Sequence, residues 1–168
     1  MPEKENKPAE FVISRVFDAP RELLFKLWTE KEHLMAWFGP KGAEIHACKM
    51  DLRPGGVCHY GMRSADGHNM WGKWVFREIK APERLSFVNS FSNEAGGLGR
   101  HPFNPDWPAE MLTTVTFADL GGRTELTVTW TPLAPTEAER KTFDAGHGSM
   151  RMGWGGTFDQ LAAYVAKL

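Results

Sequence analysis

The feature that most constrains this chain is a change of period. From residue 43 the apolar side chains stop recurring every three or four positions and begin to alternate, and the alternation persists to residue 131. Six runs carry it, at 43–52, 57–63, 70–79, 85–91, 111–117 and 124–131. Turn signals lie between most of them: Arg53-Pro54-Gly55-Gly56, Ala65-Asp66-Gly67, Ala81-Pro82 and Gly121-Gly122. A two-residue period belongs to half-buried strands. Connections this short join antiparallel neighbours, because a parallel crossover needs a dozen residues or more. The pattern therefore predicts a meandering antiparallel sheet.

Helical signals flank that sheet. Residues 11–17 alternate loosely and lead through Asp18-Ala19-Pro20 into "RELLFKLW", which puts Leu23, Leu24, Leu27 and Trp28 on one helical face, with Pro20 suited to the first turn. "KEHLMAWFGP" predicts a second short helix bearing Leu34, Trp37 and Phe38 and stopped by Gly39-Pro40. Thr136 to Glu139 is a capping-box pattern, and 136–168 reads as one long helix. One strand, two short helices, six strands and a closing helix predict an α+β fold, with a sheet of about seven strands curled around the last helix. The 168 residues suit a single domain over 10–168, with the mixed charges of "PEKENK" marking residues 1–9 as a frayed terminus.

Alternation assigns the faces. Cys58, Tyr60 and Met62 point one way with Met70, Gly72, Trp74 and Phe76; so do Leu85, Phe87, Asn89 and Phe91, then Met111, Thr113, Val115 and Phe117, then Leu126, Val128 and Trp130. This inner face is aromatic and sulfur-rich, with a few polar positions. It suits either a plain core with satisfied polar groups or a ligand cavity. On the closing helix Met150, Trp154, Phe158, Leu161, Val165 and Leu168 form a large apolar stripe, beside a small stripe of Gly146, Ser149, Gly153 and Gly156. Small residues there either let the helix approach the sheet or leave room for something else. The stretch "GHGSMRMGWGG" is the sharpest case, because each interior glycine costs a helix about 1 kcal/mol relative to alanine. Gly153, Gly155 and Gly156 are expected to stay helical, with close packing and the burial of Trp154 offsetting their cost, while Gly146 and Gly148 mark a kink or a gap where the helix passes the cavity mouth.

Several function classes are disfavoured. Twenty basic residues against 21 acidic, a formal charge of -1, supply no concentrated basic surface for nucleic acid. No stretch is apolar enough to span or insert into a membrane and no leader precedes the first strand, so a soluble, reducing, cytoplasmic setting is expected. The six histidines show no metal-binding spacing; His46 and Cys48 are an isolated i, i+2 pair, while His59 on the outer face and His68 in a turn read as solvated. No cofactor is implied. If Arg53 lies opposite Val57, residue 52 pairs with 58 and 48 with 62, which keeps Cys48 and Cys58 facing inward but too far apart to bridge. No nucleophile or phosphate-binding motif occurs. Glu78 is the one acid placed near a cavity rim, with a salt bridge to Arg84 or Arg53 as its structural alternative, and Asp51 with Arg53 reads as a turn pair.

Residues 92–110, "SNEAGGLGRHPFNPDWPAE", form a long Gly/Pro-rich connection whose Phe103 and Trp107 favour a packed flap. Five blocks, taken in order, carry a resemblance: "FDAPRELLFKLWTEKEHLMAWFGP", "DLRPGG", "GKWVFREIKAPERLSF", "TEAERKTF" and "GWGGTFDQLAAYV". They resemble the family named for the C-terminal domain of the activator of heat-shock protein 90 ATPase, within the START-like superfamily. The resemblance covers about residues 10–167. It implies a helix-grip fold, a curved sheet wrapped around a long C-terminal helix with a hydrophobic cavity between them. Fold alone does not name a reaction.

The expected function is thus a small binding protein whose partner is a hydrophobic or aromatic small molecule. The expected wall is Met50, Cys58, Tyr60, Met62, Trp74, Phe87, Asn89, Met111, Thr113, Trp130, Met150 and Trp154. Tyr60, Asn89 and Thr113 would orient the ligand, and 92–110 would gate it. A cyclase- or hydrolase-like enzyme in the same cavity, using Glu78 or His101, is the alternative. A co-chaperone-like interaction module with a role in stress response is the third, and homodimerisation stays open.

Overall fold

The computed structural model describes residues 10–101 and 104–168. The expected fraying of residues 1–9 and the place of Phe103 in the flap lie outside the described residues. The elements are β1 (Phe11–Phe17), α1 (Arg21–Thr29), α2 (Lys31–Trp37), β2 (Glu44–Met50), β3 (Val57–Arg63), β4 (Asn69–Lys80), β5 (Arg84–Ser92), β6 (Met111–Asp119), β7 (Thr124–Pro132), α3 (Glu137–Ala145) and α4 (His147–Val165). The strands form one seven-stranded sheet in the order β1-β7-β6-β5-β4-β3-β2, antiparallel throughout. This is the curved-sheet, C-terminal-helix arrangement of an α+β helix-grip fold.

The turns follow from their residues. At the β6–β7 hairpin Gly121 and Gly122 both hold positive φ, 77° and 94°, which only glycine adopts freely at two consecutive positions. After β2 the Arg-Pro-Gly-Gly stretch makes a longer loop than expected. The Asp51 N–H donates to the Val57 carbonyl, and the loop glycines reach β4, where Gly55 N–H donates to Phe76 and Phe76 N–H to Gly56. Met50 therefore opposes Cys58 and Cys48 opposes Tyr60. This corrects the expected pairing by two residues, and it brings the Cys48 and Cys58 sulfurs to 4.0 Å as diagonal neighbours.

Two bulges redirect the alternation, since one extra residue flips every later side chain. In β2 the register shifts between Ile45 and Ala47, so Ile45 and Cys48 both face inward and His46 turns outward against Trp71. In β4 it shifts between Phe76 and Glu78, so Ile79 takes the inner position opposite Leu85. Glu78 is thereby moved to the outer face, opposite Ser86, where it pairs with Arg84 at 2.7 Å. The outer His59 is not simply solvated: its ring stacks on Trp71 at 5.0 Å and Nε2 meets the Asn93 carbonyl at 2.8 Å.

The closing segment is two helices rather than one. Thr136 and Glu139 complete the capping box of α3, and the chain then bends at Gly146 (φ -93°, ψ 5°), which ends α3 and begins α4. A Cβ at Gly146 would lie 3.3 Å from both the Trp107 ring and the Thr142 carbonyl oxygen, a tight fit that favours glycine at the bend. Beyond it, the two halves of α4 behave differently. Phe158 and Leu161 are fully buried, with Phe158 edge-on to Phe17 at 5.6 Å, and each such burial contributes roughly 1.5–3 kcal/mol. The apolar stripe stops early, because Val165 is only half-buried and Leu168 is exposed past the helix end.

α1 and α2 plug the concave side of the sheet with Leu24, Leu27, Trp28, Leu34 and Trp37. Trp28 is central: its ring is near-parallel to both Trp154 and Trp74, with centroids 6.1 and 6.2 Å away. The Trp37 indole N–H is tied to the Leu27 carbonyl at 2.9 Å. Sheet, short helices and α4 thus share one aromatic core, and that core is the floor on which the cavity stands.

Candidate functional site

A cavity of about 730 Å³ lies between the inner face of the sheet and the first half of α4. That volume is within the range of small-molecule sites. Strands β3 to β7 supply Tyr60, Met62, Trp74, Phe87, Asn89, Met111, Thr113 and Trp130. α4 supplies Ser149, Met150, Gly153, Trp154 and Thr157, and the long connection supplies His101, Asn104, Trp107 and Pro108. The turn after α2 adds Phe38, Gly39 and Pro40.

Phe38 shows how local structure builds a wall. α2 ends at Trp37, so Phe38 leaves the helix in an extended conformation and reaches Tyr60, Trp74 and Trp154 at centroid distances of 5.6, 5.4 and 6.3 Å. Trp74 stacks on Phe87 at 4.0 Å, and Trp130 stands edge-on to Trp154 at 5.7 Å. Tyr60 lies across Gly72, its partner on β4, so closely that a Cβ there would fall 2.3 Å from the phenol oxygen. Glycine at 72 is what lets this ring lie down and carries its hydroxyl across β4 towards β5.

The polar groups are few and uncharged. No Asp, Glu, Lys or Arg is among the described residues of the wall. Thr113, itself buried on β6, donates its hydroxyl to Asn89 Oδ1 on β5. Burial pushes the Tyr60 phenol well above its ordinary value; the nearby Cys58 adds to this, and a hydrogen bond with the Trp74 side chain partly opposes it. Tyr60 is a neutral phenol at physiological pH. Burial likewise holds the His101 imidazole below its usual pKa. Its Nδ1 accepts the Asn104 N–H at 3.0 Å, and its ring packs between Phe91 and Trp107 at 5.1 and 5.9 Å.

Among the residues expected from sequence, Tyr60, Met62, Trp74, Phe87, Asn89, Met111, Thr113, Trp130, Met150 and Trp154 are brought together on this wall, and Met50 and Cys58 are not. The reason is the β2–β3 register. Met50 faces Cys58 across the hairpin, Cys48 touches Cys58, and Cys58 has no exposed surface, so these sulfurs fill core beside the cavity. Glu78 is also off the wall, flipped outward by its bulge. Phe38, read from sequence as part of the second helix, instead lies just beyond it and joins the wall with Gly39 and Pro40, where the Gly-Pro stop signal marks the exit from α2.

The glycines of α4 also differ from expectation. Gly153, Gly155 and Gly156 are helical, but a Cβ at any of them, or at Gly148, would meet nothing within 4 Å. Close packing is therefore not what offsets their cost. Gly153 instead borders the cavity. Among the described residues no three His, Cys, Asp or Glu side chains are grouped as metal ligands, and no helix is long and apolar enough to cross a membrane.

Residues 18–166 match the family model described as activator of Hsp90 ATPase homolog 1-like protein. No curated protein matches the chain. Similar solved structures include a crystal structure from Mycobacterium smegmatis, 26% identical over 93% of this chain and 90% of that one, with a TM-score of 0.73. An X-ray structure from Nitrosomonas europaea is 26% identical over 94% of both chains, with a TM-score of 0.74. A solution structure from Arthrobacter aurescens, also 26% identical, covers 96% of this chain and 88% of its own, with a TM-score of 0.76.

Proposed function

The chain belongs to the activator of Hsp90 ATPase homolog 1-like family, and on that premise we propose that it binds a hydrophobic, at least partly aromatic small molecule between the sheet and α4. The observation that carries this reading is the cavity itself, about 730 Å³ walled by Phe38, Trp74, Phe87, Trp130 and Trp154. The cavity opens to solvent, and an apolar guest that displaces water from its aromatic wall removes apolar surface of both partners from water. Adaptable Met62, Met111 and Met150 fit a wall that must accept an irregular shape. His101, Asn104 and Trp107 line one side, and the proposed gate is the connection that carries them.

Catalysis in the same cavity would fall to Tyr60 and His101, the titratable groups on the described wall, and not to Glu78. A co-chaperone role, which the family's description suggests, would act through an outer surface and leave the cavity residues silent. Titration with the uncharged probe N-phenyl-1-naphthylamine separates these readings. Binding within the cavity predicts saturable tryptophan quenching and a raised thermal midpoint. Neither effect, across that probe and a panel of apolar compounds, would overturn the proposal; chaperone capture in a pull-down would then favour the interaction module.

A further inference from the structure

We infer that the cavity selects an uncharged ligand bearing a hydrogen-bond acceptor, such as an aromatic ketone, aldehyde or ester, and that Asn89 and Tyr60 read that acceptor. The inference rests on the ligand-binding reading above and adds its chemical class.

The first support is what the wall lacks. A carboxylate or ammonium group entering this cavity finds no oppositely charged side chain among the described residues that line it. An ion stripped of water without a partner is strongly disfavoured, so charged ligands are rejected. The second is the orientation of Asn89. Its backbone is held between Trp74 on β4 and Met111 on β6, in the middle of the sheet. Thr113 donates to Oδ1, which takes one of its two lone pairs and fixes the carbonyl end of the amide towards β6, so that the Nδ2 hydrogens are the donors Asn89 can offer to the cavity. Thr113 is thus a positioning residue: it selects which end of the amide the ligand meets.

The third is Tyr60. Its ring is laid over Gly72, which brings the hydroxyl across β4 towards the strand that carries Asn89. Its phenol lies edge-on to Trp74, with ring centroids 6.1 Å apart, and burial keeps it protonated. The protonated phenol on the wall is thus a hydrogen-bond donor that a ligand can meet. On the sheet side, Tyr60 and Asn89 therefore offer two neutral donors among aromatic neighbours, and the complement of two neutral donors is a neutral acceptor. A pure hydrocarbon of the same shape would displace water from both donors and return nothing, a loss of roughly tenfold or more in affinity.

A matched set tests this: 2-acetonaphthone, 2-ethylnaphthalene and 2-naphthoate, titrated by tryptophan quenching and by calorimetry. The expected order is ketone tightest, hydrocarbon about tenfold weaker or more, carboxylate weakest. Asn89→Ala and Tyr60→Phe should each weaken ketone binding by more than hydrocarbon binding, so that the ratio of the two affinities falls towards one. Thr113→Val should do the same and Thr113→Ser should restore it, a rescue that a merely structural role for Thr113 does not predict. Equal affinities for the three compounds, or a preference for the carboxylate, would overturn the inference and leave the binding function standing. Retention of the full ketone preference in both Asn89→Ala and Tyr60→Phe would remove these residues as readers. Binding of none of the three by the natural protein would overturn the inference and count against the binding function together.

Discussion

Replacing Gly153 with alanine should stabilise this protein, and replacing it with leucine should block the cavity. Gly153 lies inside α4 with ordinary helical neighbours, and a Cβ built there meets no atom within 4 Å. Glycine in such a position costs about 0.5–1 kcal/mol relative to alanine, through the extra backbone freedom lost on folding. Gly153→Ala should therefore gain that amount, which for a chain of this size is about 1–4 °C in thermal midpoint, with ligand affinity little changed. The leucine side chain keeps the helical gain but enters the cavity, so apolar ligands should bind at least about tenfold more weakly while the fold stays as stable as the natural protein. Gly148→Leu is the control, since Gly148 is also helical with open space at its Cβ but does not border the cavity. Gly72→Ala is the opposite case: its Cβ would sit 2.3 Å from the Tyr60 oxygen, an overpacking that should cost about 1–3 kcal/mol. Differential scanning fluorimetry with and without probe reads all four variants. A Gly153→Ala protein that melts lower than the natural one, or a Gly153→Leu protein that binds as well, would refute the reasoning that this glycine is kept for space.

Other outcomes follow from the same geometry. Glu78→Gln breaks a half-exposed pair with Arg84 and should change stability by less than about 1 kcal/mol, with probe binding unaffected in a titration. Burial holds the folded-state pKa of His101 below its unfolded value, so its contribution to stability is complete above the unfolded pKa of about 6.5 and declines as pH falls below it. Chemical denaturation between pH 7.5 and 5 should show that decline, and His101→Gln should flatten it. Cys48 is partly exposed, and the adjacent Cys58 thiol, the largest influence on it, lowers its pKa, whereas Cys58 is fully buried. A thiol reagent should label one site per native chain and both after denaturation, with peptide mapping placing the native label on Cys48.

Much of the fold was legible because its signals were local. The alternation in 57–63, the glycine pair at 121–122 and the Thr136–Glu139 box each specify an element with its neighbours alone, and those elements occur where the residues predict them. What failed depends on contacts far away in sequence. The β2–β3 register was set by Gly55 and Gly56 bonding to Phe76 on another strand, so Met50 and Cys58 could not be placed from the hairpin alone. Counting in twos puts Glu78 inward, and the bulge before it cannot be seen in a run of residues that all suit a strand. The glycines of α4 announced something unusual, but sequence could not say whether the missing volume met the sheet or a void. The wall was easiest to read where strands are regular, from Trp74 through Phe87 and Thr113 to Trp130, and hardest where turns deliver it, as at Phe38.

The central claim is that an uncharged aromatic molecule sits between the sheet and α4, and the indole N–H resonances test it most directly. Titrating labelled protein with 2-acetonaphthone should shift the signals of Trp74, Trp130 and Trp154, which line the cavity, together with the Asn89 side-chain amide. The signal of Trp37, whose N–H is bonded to the Leu27 carbonyl away from the cavity, should stay in place. Shifts confined to residues outside that wall, or none at saturating probe, would contradict the account.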